Sequence, residues 1–187
     1  MSPKSEASST QYEKTWNETS DLRARCEIAE EAARAAGLRE LAAVAGHQVC
    51  RYAGASHAVL LVREEFAAER FRIREFPSPE DVWPALPRPL RDYLRERALS
   101  TDRAWVEAVS ASSPEPADIS GATASVHNVI AFPLFGATRL LGSLLLFDFA
   151  GKASLTSTAA RLGPVVEIIA VRLGGLNINE VCAQSIR

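Results

Sequence analysis

The residues of this sequence that could do chemistry are few and scattered. Its three cysteines, Cys26, Cys50 and Cys182, lie far apart in a chain of 187 residues. They form no Cys-X-X-Cys pair, and no group of histidines and cysteines has the spacing of a zinc site. No serine–histidine–aspartate set, paired-carboxylate motif or phosphate-binding glycine loop stands out. We therefore expect no catalytic residues and no metal site, and a small redox or hydrolytic enzyme is the least favoured function.

A second set of residues favours binding over catalysis. Three polar residues lie in or just after a long loop rich in serine and proline, and three aromatic residues could form pocket walls. The predicted ligand-binding residues are Trp83, Tyr93, Trp105, Asp118, His127 and Asn128. His127 could ligate a haem iron or titrate near neutral pH, or it could simply hydrogen-bond at a strand end. The two tryptophans could equally fill the core, so the ligand and any cofactor stay unassigned.

The composition excludes several classes of partner. The chain is 47% hydrophobic and 24% charged, which is typical of globular proteins. A formal net charge of -2 gives no basic surface for nucleic acid or an anionic membrane. No apolar run reaches the roughly 18–20 residues of a membrane span. We therefore expect no nucleic-acid or membrane partner. Because the cysteines are odd in number and far apart, we expect a cytoplasmic protein.

Two apolar stretches in the second half of the chain predict the centre of the fold. They are VHNVIAFPLF (126–135) and TRLLGSLLLFD (138–148), joined by a turn at Gly136. A strand with one wet face alternates apolar and polar residues, and these strands do not alternate. Both faces of the sheet must therefore be covered by other elements.

An earlier stretch, ERFRIREF (69–76), does alternate and predicts a strand at a sheet edge. Its three arginines, Arg70, Arg72 and Arg74, could form an anion site. We favour the alternative that they are edge charges that block sheet-to-sheet aggregation.

Helical segments flank the predicted strands. Ser20 is the expected N-cap of the segment SDLRARCEIAEEAARAAG. We divide the chain into a flexible tail (1–18), an N-terminal helix (19–37), a domain (38–176) and a C-terminal extension (177–187). The predicted fold class is α+β, with helices on both faces of a central antiparallel sheet. The N- and C-terminal helices are expected to pack together on one face.

The terminal helices also suggest a second copy of the chain as a partner. Leu22, Cys26 and Ala29 fall near heptad spacing, and Ile168 and Val171 form a second apolar face on the last helix. These five residues are the predicted interface of a homodimer. The alternative is a solvated helix that lies on its own domain.

The hairpin and the helix after it resemble the C-terminal half of a GAF domain. The family typically has an apolar strand ending in Pro-Leu, a short turn, a glycine-containing strand ending in an acidic residue, and a terminal helix. The corresponding features here are Pro133, Leu134, Gly136, Gly142, Asp148 and the helix 155–173. LRELAAVAGHQVCRYAGASHAVLLV is similar to the family's opening helix and first strand, so the resemblance covers about residues 38–176. PAS domains share the general architecture and are the main rival.

The resemblance implies a sensory and dimerisation module. GAF domains bind cyclic nucleotides, tetrapyrroles, haem or small metabolites between the sheet and a face that carries loops. We therefore expect a non-enzymatic regulatory domain in signal transduction that binds a small molecule, dimerises or does both. The alternative is an adaptor whose pocket is filled by its own side chains.

The sequence departs from several branches of the family. No cysteine lies between Cys50 and Cys182. The thiols that the bilin-binding and methionine sulfoxide reductase branches use are therefore absent from this part of the sequence. The Asn-Lys-Phe-Asp-Glu signature of the cyclic-nucleotide branch is not visible.

Overall fold

The computed structural model describes residues 4–67, 70–78, 82–110, 126–137, 139–149 and 154–185. Side chains are described in a somewhat smaller part of these ranges, from Glu18 to Leu176. The helices are α1 (Lys4–Arg34), α2 (Leu38–Val44), α3 (Cys50–Ala53), α4 (Val82–Ala85), α5 (Arg88–Ser100) and α6 (Leu155–Ser185), and a π-helical turn (Ala45–Val49) joins α2 to α3. The strands are β1 (Ala55–Ala67), β2 (Arg70–Ser78), β3 (Trp105–Ser110), β4 (Val126–Phe135) and β5 (Leu140–Phe149).

The five strands form one antiparallel sheet in the order β2-β1-β5-β4-β3. The strand β5 lies in the middle, where Leu144 pairs with Leu60 on one side and with Phe132 on the other. The alternating strand β2 is at one edge, as its sequence predicts. The predicted α+β class and the central antiparallel sheet are therefore confirmed.

Each face of the sheet has its own apolar core. We call the side covered by α1, α2 and α6 the terminal-helix face, and the side covered by α4 and α5 the short-helix face. Buried sheet residues of the terminal-helix face include Leu60, Ile130, Phe132, Leu144 and Leu146. Those of the short-helix face include Val59, Leu61, Val129, Leu145 and Phe147. The apolar strands are thus shielded from water on both sides, as their lack of alternation requires.

The first helix begins earlier than the sequence suggests. Ser20 lies inside α1, which starts at Lys4, so the prediction that Ser20 caps its beginning is wrong. The polar stretch before Ser20 contains neither glycine nor proline from Lys4 onward, so nothing in it breaks a helix. Polarity here indicates exposure and not the absence of regular structure. The mobility of residues 1–18 stays a prediction.

The helices α1 and α6 are in contact and run in the same direction. Tyr52 links Asp21 of α1 to Arg161 of α6, since its hydroxyl donates to Asp21 Oδ1 at 2.5 Å and its carbonyl accepts from Arg161 Nη2 at 2.9 Å. Further along the chain from both residues, Arg172 Nε of α6 donates to the carbonyl of Ala35, the residue that follows α1, at 3.1 Å. The order of these contacts is the same along both helices, and the contacts between the helices confirm that they pack together.

Both terminal helices have 31 residues, which at about 1.5 Å per residue makes each roughly 46 Å long. Across the described residues, no helix combines the length and the apolarity needed to span a membrane.

Gly142 offers a direct test of the sheet. A Cβ atom at this position would lie 2.0 Å from the Leu61 carbonyl oxygen, because β1 and β5 approach closely there. We expect Gly142→Ala to force the two central strands apart and to lower the free energy of unfolding by about 2 kcal/mol or more, measured by urea denaturation.

A matched substitution controls for the effect of adding a methyl group. Nothing lies within 4 Å of a Cβ atom built on Gly175 in α6. Gly175→Ala should raise the free energy of unfolding by about 0.5–1 kcal/mol, because alanine favours the helix. Equal urea midpoints for Gly142→Ala and the wild type would contradict the described register.

Candidate functional site

Trp83 lies at the centre of the short-helix face and is only 2% exposed. Its ring centroid is 6.2 Å from that of Phe147, with the two planes tilted by 56°. Its Nε1 donates to Glu75 Oε2 at 2.8 Å, and Arg95 Nε donates to Glu75 Oε1 at 2.8 Å. Trp83 is therefore a core residue anchored by a paired carboxylate. A ligand would have to displace its ring to contact it.

Tyr93 and Trp105 come together around one guanidinium group. Arg97 Cζ lies 4.5 Å from the ring centroid of Trp105 and 5.8 Å from that of Tyr93. Arg97 also forms an ion pair with Glu107, whose carboxylate accepts a hydrogen bond from the Tyr93 hydroxyl at 3.1 Å. Because the cation and the anion compensate each other, this aromatic cluster presents flat rings without net charge.

The two charged residues of the aromatic cluster, Arg97 and Glu107, were not predicted from the sequence, although each is regularly spaced from one of the aromatic residues. Arg97 follows Tyr93 by four residues, which is one turn further along α5. Glu107 follows Trp105 by two residues on β3, so both side chains lie on the same face of the sheet. A charged residue four positions after Tyr93 on a helix, or two positions after Trp105 on a strand, is the sequence signal that could have identified Arg97 and Glu107.

The indole Nε1 of Trp105 is buried and has no hydrogen-bond partner in the described part of the structure. A buried donor without an acceptor costs about 1–3 kcal/mol. The strand β3 ends at Ser110, and residues 111–125, which include the predicted binding residue Asp118, lie outside the described residues. Trp105 Nε1 is therefore a donor of the aromatic cluster that has no acceptor among the described residues.

His127 and Asn128 are consecutive on β4, so their positions face opposite sides of the sheet. Ala131 packs on the short-helix face, where it is paired with Trp105, whereas Ile130 packs on the terminal-helix face. By this alternation Asn128 shares the side of Ile130. The strand register thus places Asn128 and Trp105 on opposite sides of the sheet, and a part for Asn128 in ligand binding stays a prediction. The side chain of His127 lies outside the described ones, and its role stays a prediction.

All five predicted interface residues keep part of their surface free. Leu22 of α1 is 60% exposed and Val171 of α6 is 77% exposed. Cys26 is also exposed, and Ala29 is half-buried. Leu22 and Val171 are two of the most exposed large apolar side chains among the described residues, and each is on a terminal helix.

Ile168 is half-buried and packs against the core of the terminal-helix face. It lies three positions after the fully buried Val165 and three before the exposed Val171, and residues three apart are neighbours on a helix. Ile168 therefore lies at the edge of the core, and its place in a dimer interface stays a prediction.

Cys50 lies in the core of the terminal-helix face. Burial raises the pKa of its thiol from 9.0 to about 12, so the thiolate is scarce at neutral pH. The thiolate is the reactive form of cysteine, and Cys50 is therefore a packing residue. The described residues contain no group of three or more His, Cys, Asp or Glu side chains that could hold a metal ion.

Comparisons with known proteins report on the fold. No protein-family model and no curated protein matches this chain. Solved structures do match. The GAF domain of a sensor histidine kinase from Pseudomonas syringae pv. tomato is 13% identical, with a TM-score of 0.61, and the match covers 94% of this chain and 99% of that domain.

Two further GAF domains match over most of their length. The GAF domain of nlh2 from A. aeolicus is 16% identical, with a TM-score of 0.56, covering 84% of this chain and 97% of that one. The GAF domain of a phosphoenolpyruvate-protein phosphotransferase from Acinetobacter is 10% identical, with a TM-score of 0.53, covering 86% and 96%. At such low identity the matches speak for the fold alone. They agree with the resemblance seen in the sequence, and the chain therefore has the fold of a GAF domain.

Proposed function

We propose that this protein is a non-enzymatic regulatory domain of a cytoplasmic signalling system, and that it works as a homodimer through α1 and α6. The observation that carries the proposal is the exposure of Leu22 and Val171 on two neighbouring helices. Large apolar side chains that stay in water on adjacent elements are typical of interaction surfaces. The GAF fold is found in sensory modules such as the matched domain of a sensor histidine kinase.

A second copy of the chain is the partner that fits this surface. Dimers of identical chains are usually related by a twofold axis, which brings the same patch of each copy together. Two parallel helices from each copy would form a four-helix bundle, a packing that buries such apolar stripes. Contacts of Leu22 and Val171 with their counterparts would remove both side chains from water.

Polar contacts link α1 to the rest of the domain and supply a route for a signal. Tyr52 binds Asp21 and Arg25 of α1, and burial is the main factor that raises the pKa of its hydroxyl. Gln48 Nε2 donates to Glu31 Oε1 at 3.0 Å. A change in the position of the π-helical turn or of α3 would therefore shift α1, and with it the dimer.

Two substitutions two residues apart on α6 separate folding from dimerisation. Val171→Glu should leave the thermal unfolding curve nearly unchanged and convert a dimer into a monomer of 20.2 kDa, measured by native mass spectrometry. Ile169 is 0% exposed, so Ile169→Glu buries a charge and should cost about 3–5 kcal/mol of folding free energy. A wild type that is monomeric at tens of micromolar, or a Val171→Glu variant that stays dimeric, would contradict the proposed interface.

The exposed thiol of Cys26 gives an independent measure of the same interface. In a Cys182→Ser background, Cys26 should react with a thiol reagent at pH 8 faster in dilute protein than in concentrated protein, by about threefold or more, since the dimer would cover it. Cys50 is the internal control. Its thiol, with a pKa of about 12, should react only after unfolding. A Cys26 rate that is independent of protein concentration would argue against the dimer.

A small-molecule site on the short-helix face is the second candidate function, and the buried Trp105 Nε1 favours it. The aromatic cluster supplies rings for stacking, and the open indole donor would bind an acceptor of the ligand. The central part of this face is occupied by Trp83, so the ligand would lie beside that ring and close to Tyr93 and Trp105.

Native mass spectrometry of the purified protein tests this second candidate. A retained small molecule is expected in the wild type and should be lost from Trp105→Phe, which lacks the indole donor. Val106→Ala is the matched control, because Val106 is the next residue on β3 and faces the opposite side. Wild-type protein that carries no added mass after gentle purification would favour the adaptor alternative with a self-filled pocket.

A further inference from the structure

A cavity lies on the other side of the sheet from the aromatic cluster. It is a groove of about 680 Å³, open to solvent, between the helical segment α2 with its π-helical turn and the edge strand β2. This volume is within the range of about 300–1,000 Å³ that is usual for small-molecule sites. Neither the dimer surface nor the candidate site on the short-helix face includes this groove.

The walls of the groove are small and apolar on the helical side. Ala42, Ala43 and Gly46 leave room there, and Phe76 and Pro77 form the opposite wall on β2. The π-helical turn Ala45–Val49 lies directly at the groove. Such turns are rare and frequently found at functional sites, because the wider helical coil opens space.

The charge of the groove is positive once internal pairs are counted. Among the described residues that line it, Glu75 is the only acidic one, and its carboxylate is bound by Trp83 and Arg95 on the short-helix face. Arg74 is paired with Glu64 at 2.6 Å. Arg39 is exposed and has no hydrogen bond or ion pair to another described residue.

His47 adds a second polar group to the groove. Its Nδ1 lies 3.0 Å from the Ala43 carbonyl oxygen. Since a carbonyl only accepts, Nδ1 carries the proton, and Nε2 is the ring nitrogen left for another partner. The groove therefore combines an apolar floor with one free guanidinium group and one imidazole nitrogen.

We infer that this groove is a binding site for a small amphipathic anion, with its apolar body against Phe76, Ala43 and Gly46 and its acidic group at Arg39. A guanidinium group binds carboxylate, sulfonate and phosphate oxygens through charge-assisted hydrogen bonds. The adjoining residue Gln48 is bonded to Glu31 of α1. A ligand bound in the groove would thus change the position of α1 through the π-helical turn.

The experiment uses a fluorescent anion, 1-anilinonaphthalene-8-sulfonate, and its uncharged analogue N-phenyl-1-naphthylamine as matched probes. Both should bind the folded protein. Arg39→Gln should raise the dissociation constant of the anion by about fivefold and leave that of the uncharged probe unchanged. Ala43→Phe should abolish binding of both probes, because the added ring fills the groove.

Two variants outside the groove control for general effects of these changes. Arg103→Gln removes an exposed guanidinium group elsewhere, and Ala85→Phe adds a ring at an exposed alanine of α4. Neither should alter the titrations, and circular dichroism should show that all four variants fold. The inference is overturned if Ala43→Phe still binds the probes, if Arg39→Gln binds the anion as well as the wild type, or if neither probe binds at millimolar concentration.

Discussion

The structure depends on one constraint: the central strand β5 cannot leave either of its faces in water. Leu144 and Leu146 point to one side and Leu145 and Phe147 to the other, and all four are at most 1% exposed. Full burial of each such side chain contributes about 1.5–3 kcal/mol, so exposing either face would remove much of the stability of a domain this size. The polar Ser143 within this strand is buried too, and its hydroxyl donates to the Phe132 carbonyl at 2.9 Å. Helices must therefore pack on both sides, and the sandwich follows.

The sequence predicts those features of the fold that follow from the burial of both faces of the sheet. The antiparallel sheet, the edge position of β2 and the pairing of the terminal helices all follow from apolar patterns that can be counted along the chain. The start of α1 could not be predicted in this way, since a polar stretch without glycine or proline is compatible with either a helix or a tail. The side of the sheet on which Asn128 lies is decided by strand alternation and register, which closeness in sequence to the long loop does not reveal. Arg97 and Glu107 belong to a cluster that only the packing of α5 against β3 brings together.

The short-helix face shows how a GAF-type scaffold can use its own side chains in place of a ligand. Trp83 occupies the middle of this face, and its indole N–H is already bonded to Glu75. The same carboxylate accepts a hydrogen bond from Arg95, so the group formed by Trp83, Glu75 and Arg95 is neutral overall. Moving Trp83 out of the core would therefore break its hydrogen bond to Glu75 and leave an apolar cavity. What is left for binding is the periphery, where the rings of Tyr93 and Trp105 meet Arg97.

The attachment of α1 is weak enough for a ligand to influence it. Its buried apolar side chains in the described part are Ile28 and Ala32, one of which is an alanine. Its other described attachments include polar contacts such as the part-buried hydrogen bond of Gln48 with Glu31, and hydrogen bonds to charged groups contribute about 1.5–3 kcal/mol each. A ligand at a hundred times its dissociation constant for one position of α1 stabilises that position by about 2.7 kcal/mol, which is comparable to one or two such contacts. A ligand that favours one position of the π-helical turn can therefore change how α1 lies on the domain, whereas the same binding energy could not separate the two cores of the sheet.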